Sequence, residues 1–302
     1  MHFDKIFILG AGAIGSVCGA FLSRGNNVTL IGNKAHVKAV NSRGLSITGD
    51  VNETFQLKAD TEIRNMPKKT LVILTTKVHD TAETVEGIKS LLKKDTVLLI
   101  LQNGLGNEEI VRNVIGDKYQ ILRGVTTMAA ELSKSGEVRY WKGRTIIGQD
   151  RLAREIVRMF KACRLETRFS GRIDNDVWVK LVVNCVVNPL TAILRVADGA
   201  IIVDSLKTVR HEIVKECTQV AKAEGIILPA DLMRRIDEQV AKYTNFSSMY
   251  QDIVKGKKTE IDFLNGKIVE LGVKHHIPTP VNTTFLCFIK FLEGKNGISK
   301  HD

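Results

Sequence analysis

Lys180, Asn184 and Asn188 interrupt an otherwise apolar segment, Trp178–Leu190. A segment apolar nearly all round marks a buried helix. At i, i+4 and i+8 the three polar side chains share one face of it. An ammonium and two amides buried on one stripe are costly unless paired. A polar ligand in a cleft would satisfy them. The amides would hold its oxygens, and the lysine would stabilise and protonate an oxygen on which negative charge develops. A buried lysine paired to a carboxylate for stability alone is the competing account. Pro189 removes a backbone N–H and predicts a kink.

A second segment runs from Ser247-Ser248-Met249 to Thr259-Glu260-Ile261-Asp262. Thr259 followed by Asp262 reads as a helix N-cap with an acid at N3, opening one helix over 259–274. Glu260 then falls in the first turn, where the helix dipole favours its ionised form. A carboxylate there can keep a buried lysine charged against desolvation. Otherwise Glu260 is an ordinary N-terminal helix acid and Ser248 a helix cap.

The third constellation is Gly10-Ala11-Gly12-Ala13-Ile14-Gly15, a GxGxxG placed between an apolar β-rich run (Lys5–Leu9) and a helical one (Ala13–Arg24). In that context the glycines give a tight turn, a close backbone approach to a pyrophosphate, and close helix–strand packing. The helix N-terminus offers N–H groups and a positive dipole end to phosphate. The end of the second strand, Ile31-Gly32-Asn33-Lys34, carries no acid for a ribose 2′-hydroxyl. Asn33 can hydrogen-bond and Lys34 can offset a 2′-phosphate, which favours NADPH and leaves NADH open. Lys77 and Asn103 follow later strands, where such sheets bind ligands. Each is either a ligand contact or an ordinary turn residue.

The elements that must position these groups change character along the chain. Up to about residue 170 strand and helix signals alternate, predicting an α/β domain with a parallel sheet. Leu45–Thr48 and Thr54–Leu57 read as a hairpin, and Thr126–Ala130 as a loop. From 171 to 302 strand signals nearly vanish and helices follow, predicting an all-α domain. The chain has 302 residues, 44% hydrophobic and 25% charged, with a net charge of +11. That balance is globular, and no apolar run stands out as a membrane span. The basic charge suits anionic small molecules, and its densest cluster, Lys255, Lys257 and Lys258, lacks the aromatic interleaving of a nucleic-acid surface. Five cysteines without a CxxC pair read as reduced thiols, and no histidine spacing suggests a metal. A cytoplasmic protein is expected, and a homodimer stays open.

Lys180 to Ala192 resembles the signature of the ketopantoate reductase family, and Ser247–Ile253 with Lys258–Gly266 resembles its second block. The GxGxxG, Lys77 and Asn103-Gly104 match in order, so the resemblance covers nearly the whole chain. It implies a Rossmann-type domain joined to an all-helical one, with substrate in the cleft between. NADPH would deliver hydride to the C2 ketone of ketopantoate, giving pantoate for pantothenate and coenzyme A synthesis. By the same resemblance Lys180 is the general acid, and Glu260 bonds substrate or lysine. Asn184, Asn188 and Ser248 hold substrate oxygens, with Asn245 at a substrate-side position. Asn103 contacts cofactor and substrate, and Ala130 contacts cofactor. Two positions depart from the pattern. An arginine usual near Asn33 is missing, and a substrate-side asparagine is replaced by Asp198, which is left without a role. A same-fold reductase of another 2-keto or 3-hydroxy acid, and a non-catalytic dinucleotide sensor, are the alternatives.

Overall fold

The structure, a computed structural model, describes residues 3–298. The chain groups into two compact units, Met1–Gln102 with Gly106–Ile173, and Asn103–Leu105 with Asp174–Asp302.

The first unit is built on an eight-stranded sheet. Its strands are β1 (Lys5–Leu9), β2 (Val28–Ile31), β5 (Lys58–Asp60), β6 (Thr70–Leu74), β7 (Val97–Ile100), β8 (Gln120–Thr126), β11 (Thr145–Gly148) and β12 (Thr167–Ser170). The order is β12-β11-β8-β7-β6-β1-β2-β5, and every neighbouring pair is parallel except β8 with β11. The strands β1, β2, β6 and β7 are buried along their whole length. That is why they read as continuous Val/Ile/Leu runs rather than alternating ones. Crossover helices α1 (Ala13–Leu22), α2 (Lys34–Arg43), α3 (Thr81–Lys89), α4 (Asn107–Ile115) and α5 (Ala153–Ala162) complete the α/β pattern.

A second sheet, four-stranded, has the order β4-β3-β10-β9. The expected hairpin forms, with β3 (Leu45–Gly49) antiparallel to β4 (Glu53–Phe55). The other edge of β3 takes β10 (Glu137–Trp141) in parallel, and β9 (Ala129–Lys134) pairs antiparallel with β10. Ala130, expected in a loop, therefore lies on a strand opposite Tyr140. The run Ala129–Lys134 is half-exposed and ends polar, so its sequence lacks the apolar pattern of a strand.

The second unit is helical: α6 (Ile173–Leu194), α7 (Lys207–Ala223), α8 (Leu232–Val240), α9 (Ser248–Val254), α10 (Asn265–Lys274) and α11 (Pro280–Ile298). Helix α6 is long and apolar enough to cross a membrane, but 72% of its most apolar window is buried, as in the core helix of a folded domain. It packs with residues from all five other helices. It also continues through Pro189 as one helix, where a kink was expected. Pro189 cannot donate to the carbonyl of Cys185 four residues earlier. That carbonyl instead accepts from Asn265 Nδ2 at 3.1 Å.

The helix expected over 259–274 is divided. A short 3₁₀ turn, Ile261–Phe263, precedes α10, with Leu264 at φ −110°, ψ −103° between them. Thr259 Oγ1 accepts from the N–H of Ile261, two residues on, at 3.2 Å. Its own N–H and hydroxyl donate to Glu293 on α11 at 2.7 and 2.6 Å. Asp262 pairs with Lys290 rather than with the cap. Contacts to α11 thus win over the local capping box.

Candidate active site

In the first unit the glycine turn is locked to the strands beside it. The N–H of Ala11 donates to Ile31 O at 2.7 Å and that of Thr75 to Leu9 O at 2.9 Å. The Thr75 hydroxyl donates to Gly10 O at 2.8 Å. Gly10 has φ +110°, and a Cβ there would lie 2.4 Å from the backbone nitrogen of Thr76. A Cβ on Gly15 would lie 2.2 Å from Gly10 O. Both positions therefore need glycine. Gly12 differs, because a Cβ there meets nothing within 4 Å. It is the N-cap of α1, and no acid stands in the first turn. Ala13 and Ile14 begin the helix, where N–H groups lack intrahelical acceptors. An open backbone cradle at a positive helix end suits the pyrophosphate of a dinucleotide.

Asn33 caps α2, its Oδ1 accepting from His36 N–H at 2.9 Å. Its carbonyl is thereby committed and its amide can only donate. Lys34 is exposed as the first residue of that helix. His36 is fully buried, with Nδ1 accepting from Gly136 N–H at 3.1 Å. Its proton must then sit on Nε2, which lies 3.1 Å from Ser16 Oγ on α1. Burial holds its pKa below the ordinary value, so the ring stays neutral. This chain of contacts fixes α2 against α1, and with it the end of β2. Lys77 follows β6, half-buried, as the residue before a short 3₁₀ turn. Gln102, following β7, donates through Nε2 to Thr76 O at 2.9 Å and to Thr81 Oγ1 at 2.6 Å. The loops after β1, β2, β6 and β7 thus share one edge of the sheet, the edge at which such sheets bind ligands. Ala130 is half-buried on β9.

In the second unit the ladder on α6 has two buried amides, Asn184 and Asn188, each 6% exposed. Lys180, one turn earlier, is half-buried. Burial lowers its pKa, and the charge of Asp198 acts in the opposite direction. Thr191, farther along the helix, donates to Ser247 Oγ at 2.7 Å. Ser247 Oγ accepts in turn from Tyr250 N–H at 3.1 Å, so Ser247 is the N-cap of α9. Ser248, for which a capping role was the alternative, is the exposed first residue of that helix and its hydroxyl is not the cap.

Glu260 is buried, immediately before the Ile261–Phe263 turn. It is therefore not in the first turn of an α-helix, and the expected dipole effect does not apply to it. The same turn receives residues 103–105. Gly104, at φ +79°, would place a Cβ 2.6 Å from Phe263 O, and the N–H of Leu105 donates to Phe263 O at 3.4 Å. This close approach holds Asn103 beside the segment that carries Glu260. Asn245 is half-buried in the loop after α8 and donates through Nδ2 to Asp198 Oδ2 at 2.7 Å. Among the described residues no cluster of acids, histidines or cysteines could hold a metal.

Sequence reasoning missed Asn265 and Ser247 as the residues that hold this site together. Both stood inside the motifs, and only the orphaned Cys185 carbonyl predicted by Pro189 could have pointed to Asn265.

Comparison with known proteins gives consistent matches. The family model "Ketopantoate reductase PanE/ApbA" matches residues 6–151, and its C-terminal counterpart matches residues 172–293. The 2-dehydropantoate 2-reductase of Pyrococcus horikoshii is 40% identical over 98% of this chain and all of its own. That of Archaeoglobus fulgidus is 33% identical over 97% of this chain and 99% of its own. Among solved structures, a PanE/ApbA family ketopantoate reductase from Ralstonia eutropha JMP134 superposes with a TM-score of 0.89 at 31% identity, covering 97% of this chain and 99% of that one. A D-mandelate dehydrogenase with NADH and anilino(oxo)acetate superposes with a TM-score of 0.90 at 29% identity, with the same coverage.

Proposed function

This chain belongs to the ketopantoate reductase family, and we propose that it is a 2-dehydropantoate 2-reductase with a preference for NADPH. The observation that carries the reading is the stripe of Lys180, Asn184 and Asn188 on a buried helix. Polar groups are placed so only where something polar repays their burial.

The bound dinucleotide supplies a hydride. The chain's own residues do the rest. Gly10, Ala11, Gly12, Ala13, Ile14 and Gly15 cradle the pyrophosphate, and Lys77 and Ala130 line the cofactor. Asn33 donates through its amide, and Lys34 offers positive charge, to a 2′-phosphate. Because the carbonyl of Asn33 already accepts from His36, it cannot also accept from a 2′-hydroxyl, which supports NADPH over NADH. Asn103 orients cofactor and keto acid together. Asn184, Asn188, Asn245 and Ser248 hold the substrate's carboxylate and hydroxyl oxygens. As hydride reaches C2, negative charge develops on the ketone oxygen, and Lys180 stabilises it and gives it a proton. Glu260 positions substrate or lysine. The product is the 2-hydroxy acid and the oxidised dinucleotide. Such a reaction belongs to the cytoplasm, with a small 2-keto acid as partner and neither nucleic acid nor membrane.

The likeness to a D-mandelate dehydrogenase holding NADH favours a second reading, a same-fold reductase of a different 2-keto acid. Loss of absorbance at the reduced-nicotinamide band, with ketopantoate or phenylglyoxylate and with NADPH or NADH, separates the two. Fast oxidation of NADPH with ketopantoate is expected, slowed at least about 100-fold by Lys180→Ala. Oxidation with phenylglyoxylate alone would replace the reading, and near-normal turnover by folded Lys180→Ala would remove the lysine from it.

A further inference from the structure

Asp198 is a buried acid for which the reaction outlined above has no task. It opens the 3₁₀ turn Asp198–Ile201 after α6 and is 5% exposed. Its place is fixed from three sides. Its Oδ2 accepts from Asn245 Nδ2 at 2.7 Å. Its N–H donates to Asn245 O at 2.9 Å, and the N–H of Gly199 donates to Tyr243 O at 3.0 Å. Gly199 allows no side chain, since a Cβ would lie 2.6 Å from Tyr243 O. The other carboxyl oxygen, Oδ1, is buried without a hydrogen-bond partner. A native fold rarely leaves a carboxylate oxygen so, because desolvation without compensation is costly.

The compensation on hand is charge. Lys180 and Asp198 each act on the other's ionisation, the lysine favouring the carboxylate and the carboxylate favouring the ammonium. Of the other ionisable groups on the packed elements, Tyr243 feels the same carboxylate. Burial, then Asp198, keeps its proton on, so it is neutral. Asn245 and Ser247, which also face the acid, carry no charge. An asparagine at 198 would keep a carbonyl for Asn245 and add no charge. What the acid adds is therefore the charge alone.

We infer that Asp198 is a positioning residue for the reacting proton: clamped by Asn245, its carboxylate is the fixed counter-charge that keeps Lys180 an ammonium at its buried station. This rests on Lys180 being the proton donor of the proposed reaction. A proton donor in an apolar setting is useful only if it still holds a proton at working pH, and a fixed anion is the direct means of ensuring that. The acid itself bears the cost, its pKa being pushed up to about 7, by burial first and against the pull of Asn245 and Lys180.

The test is a titration that needs no turnover. Protein carrying ¹³C at the lysine ε-carbon is titrated by NMR, with the Lys180 resonance assigned by its loss in Lys180→Gln. In unaltered protein the Lys180 resonance should show a second inflection near neutral pH as Asp198 ionises. In Asp198→Asn that inflection should vanish, and the lysine midpoint should fall by about 1–3 pH units, the range expected for loss of a near opposite charge. Asp198→Glu should keep the midpoint near that of the unaltered protein. The alkaline limb of kcat for keto-acid reduction should follow the midpoint downward in Asp198→Asn. A merely structural role would lower kcat evenly with the limb in place. A Lys180 resonance with a single inflection in unaltered protein overturns the inference, whether or not the variant folds. So does an unmoved midpoint in folded Asp198→Asn. If unaltered protein oxidises no reduced nicotinamide with any 2-keto acid, the proposed reaction falls while the titration still decides the charge pairing.

Discussion

Asn265→Ala should weaken the second unit far more than its small volume suggests. The side chain is fully buried. Its Nδ2 donates to Cys185 O at 3.1 Å and to Asn282 Oδ1 at 2.9 Å. The amide orientation is set by the network, because Asn282 Nδ2 donates to Glu216 Oε2 at 2.7 Å and so leaves its oxygen facing Asn265. Glu216 in turn accepts from the N–H groups of Val281 and Asn282 at 2.8 and 2.9 Å, capping the start of α11. Alanine strands two buried acceptors, at about 1–3 kcal/mol each. It also removes the buried Oδ1 of Asn265, which has no partner and returns about 1 kcal/mol. The net loss is about 2–4 kcal/mol. The chain has two tryptophans, Trp141 on β10 and Trp178 on α6. Urea unfolding followed by fluorescence in a Trp141→Phe background therefore reports on the helical unit. The decisive comparison adds Pro189→Ala, which restores an N–H able to bond Cys185 O. In the Asn265→Ala background it should recover about 1 kcal/mol or more, and with Asn265 intact distinctly less. Additive effects would refute the claim that Asn265 bridges the gap left by the proline.

Gly12→Ala should weaken binding of reduced nicotinamide dinucleotide at least about tenfold without changing the melting temperature, since its Cβ enters open space. Gly15→Ala, whose Cβ would lie 2.2 Å from Gly10 O, should lose both. Calorimetric binding and thermal melts separate these outcomes. Ser247→Ala should cost about 1–2 kcal/mol for the lost cap of α9, whereas Ser248→Ala should leave stability alone and raise KM for the keto acid. Asp198 gives stability a pH dependence. Its folded pKa of about 7 lies above the unfolded value near 3.8. The folded protein thus holds the extra proton between those values, and the contribution, full below the lower one, is lost as pH rises towards 7. Unfolding free energies from pH 5 to pH 8 should show Asp198→Asn gaining on the unaltered protein by an order of 1–3 kcal/mol. A constant difference would contradict the raised value.

The buried strands β1, β2, β6 and β7 could be read directly, because continuous apolar runs between turn residues admit few other structures. The change to helices after residue 170 was equally plain. Strand β5, of sequence Lys-Ala-Asp, gave no signal because an edge strand of three residues needs no apolar pattern. The break at Leu264 was hidden because capping rules are local, and the partners that overrule them, Glu293 and Lys290, lie on α11. The ladder on α6 was visible from spacing alone. Its supports were not, since Asn265 and Ser247 reach it from other helices. Asp198 stood out only as a departure from a pattern, and its meaning required knowing that one oxygen is buried without a partner.

The parallel pairing of β3 with β10 brings together residues about ninety positions apart, Ser46 with Glu137 for example. Contacts so distant in sequence are slow to form, because a long loop must close before they repay it. At about 5–20 residues per second, a nascent chain would hold β3 without that partner for roughly 5–20 seconds. During that interval Leu45 and Ile47, fully buried in the finished fold, would belong to a two-stranded hairpin too small to be stable alone. Synthesis of the first unit therefore includes a window in which a sticky strand edge waits for its neighbour. The helical unit, emerging later but built largely from neighbouring segments, has no comparable delay.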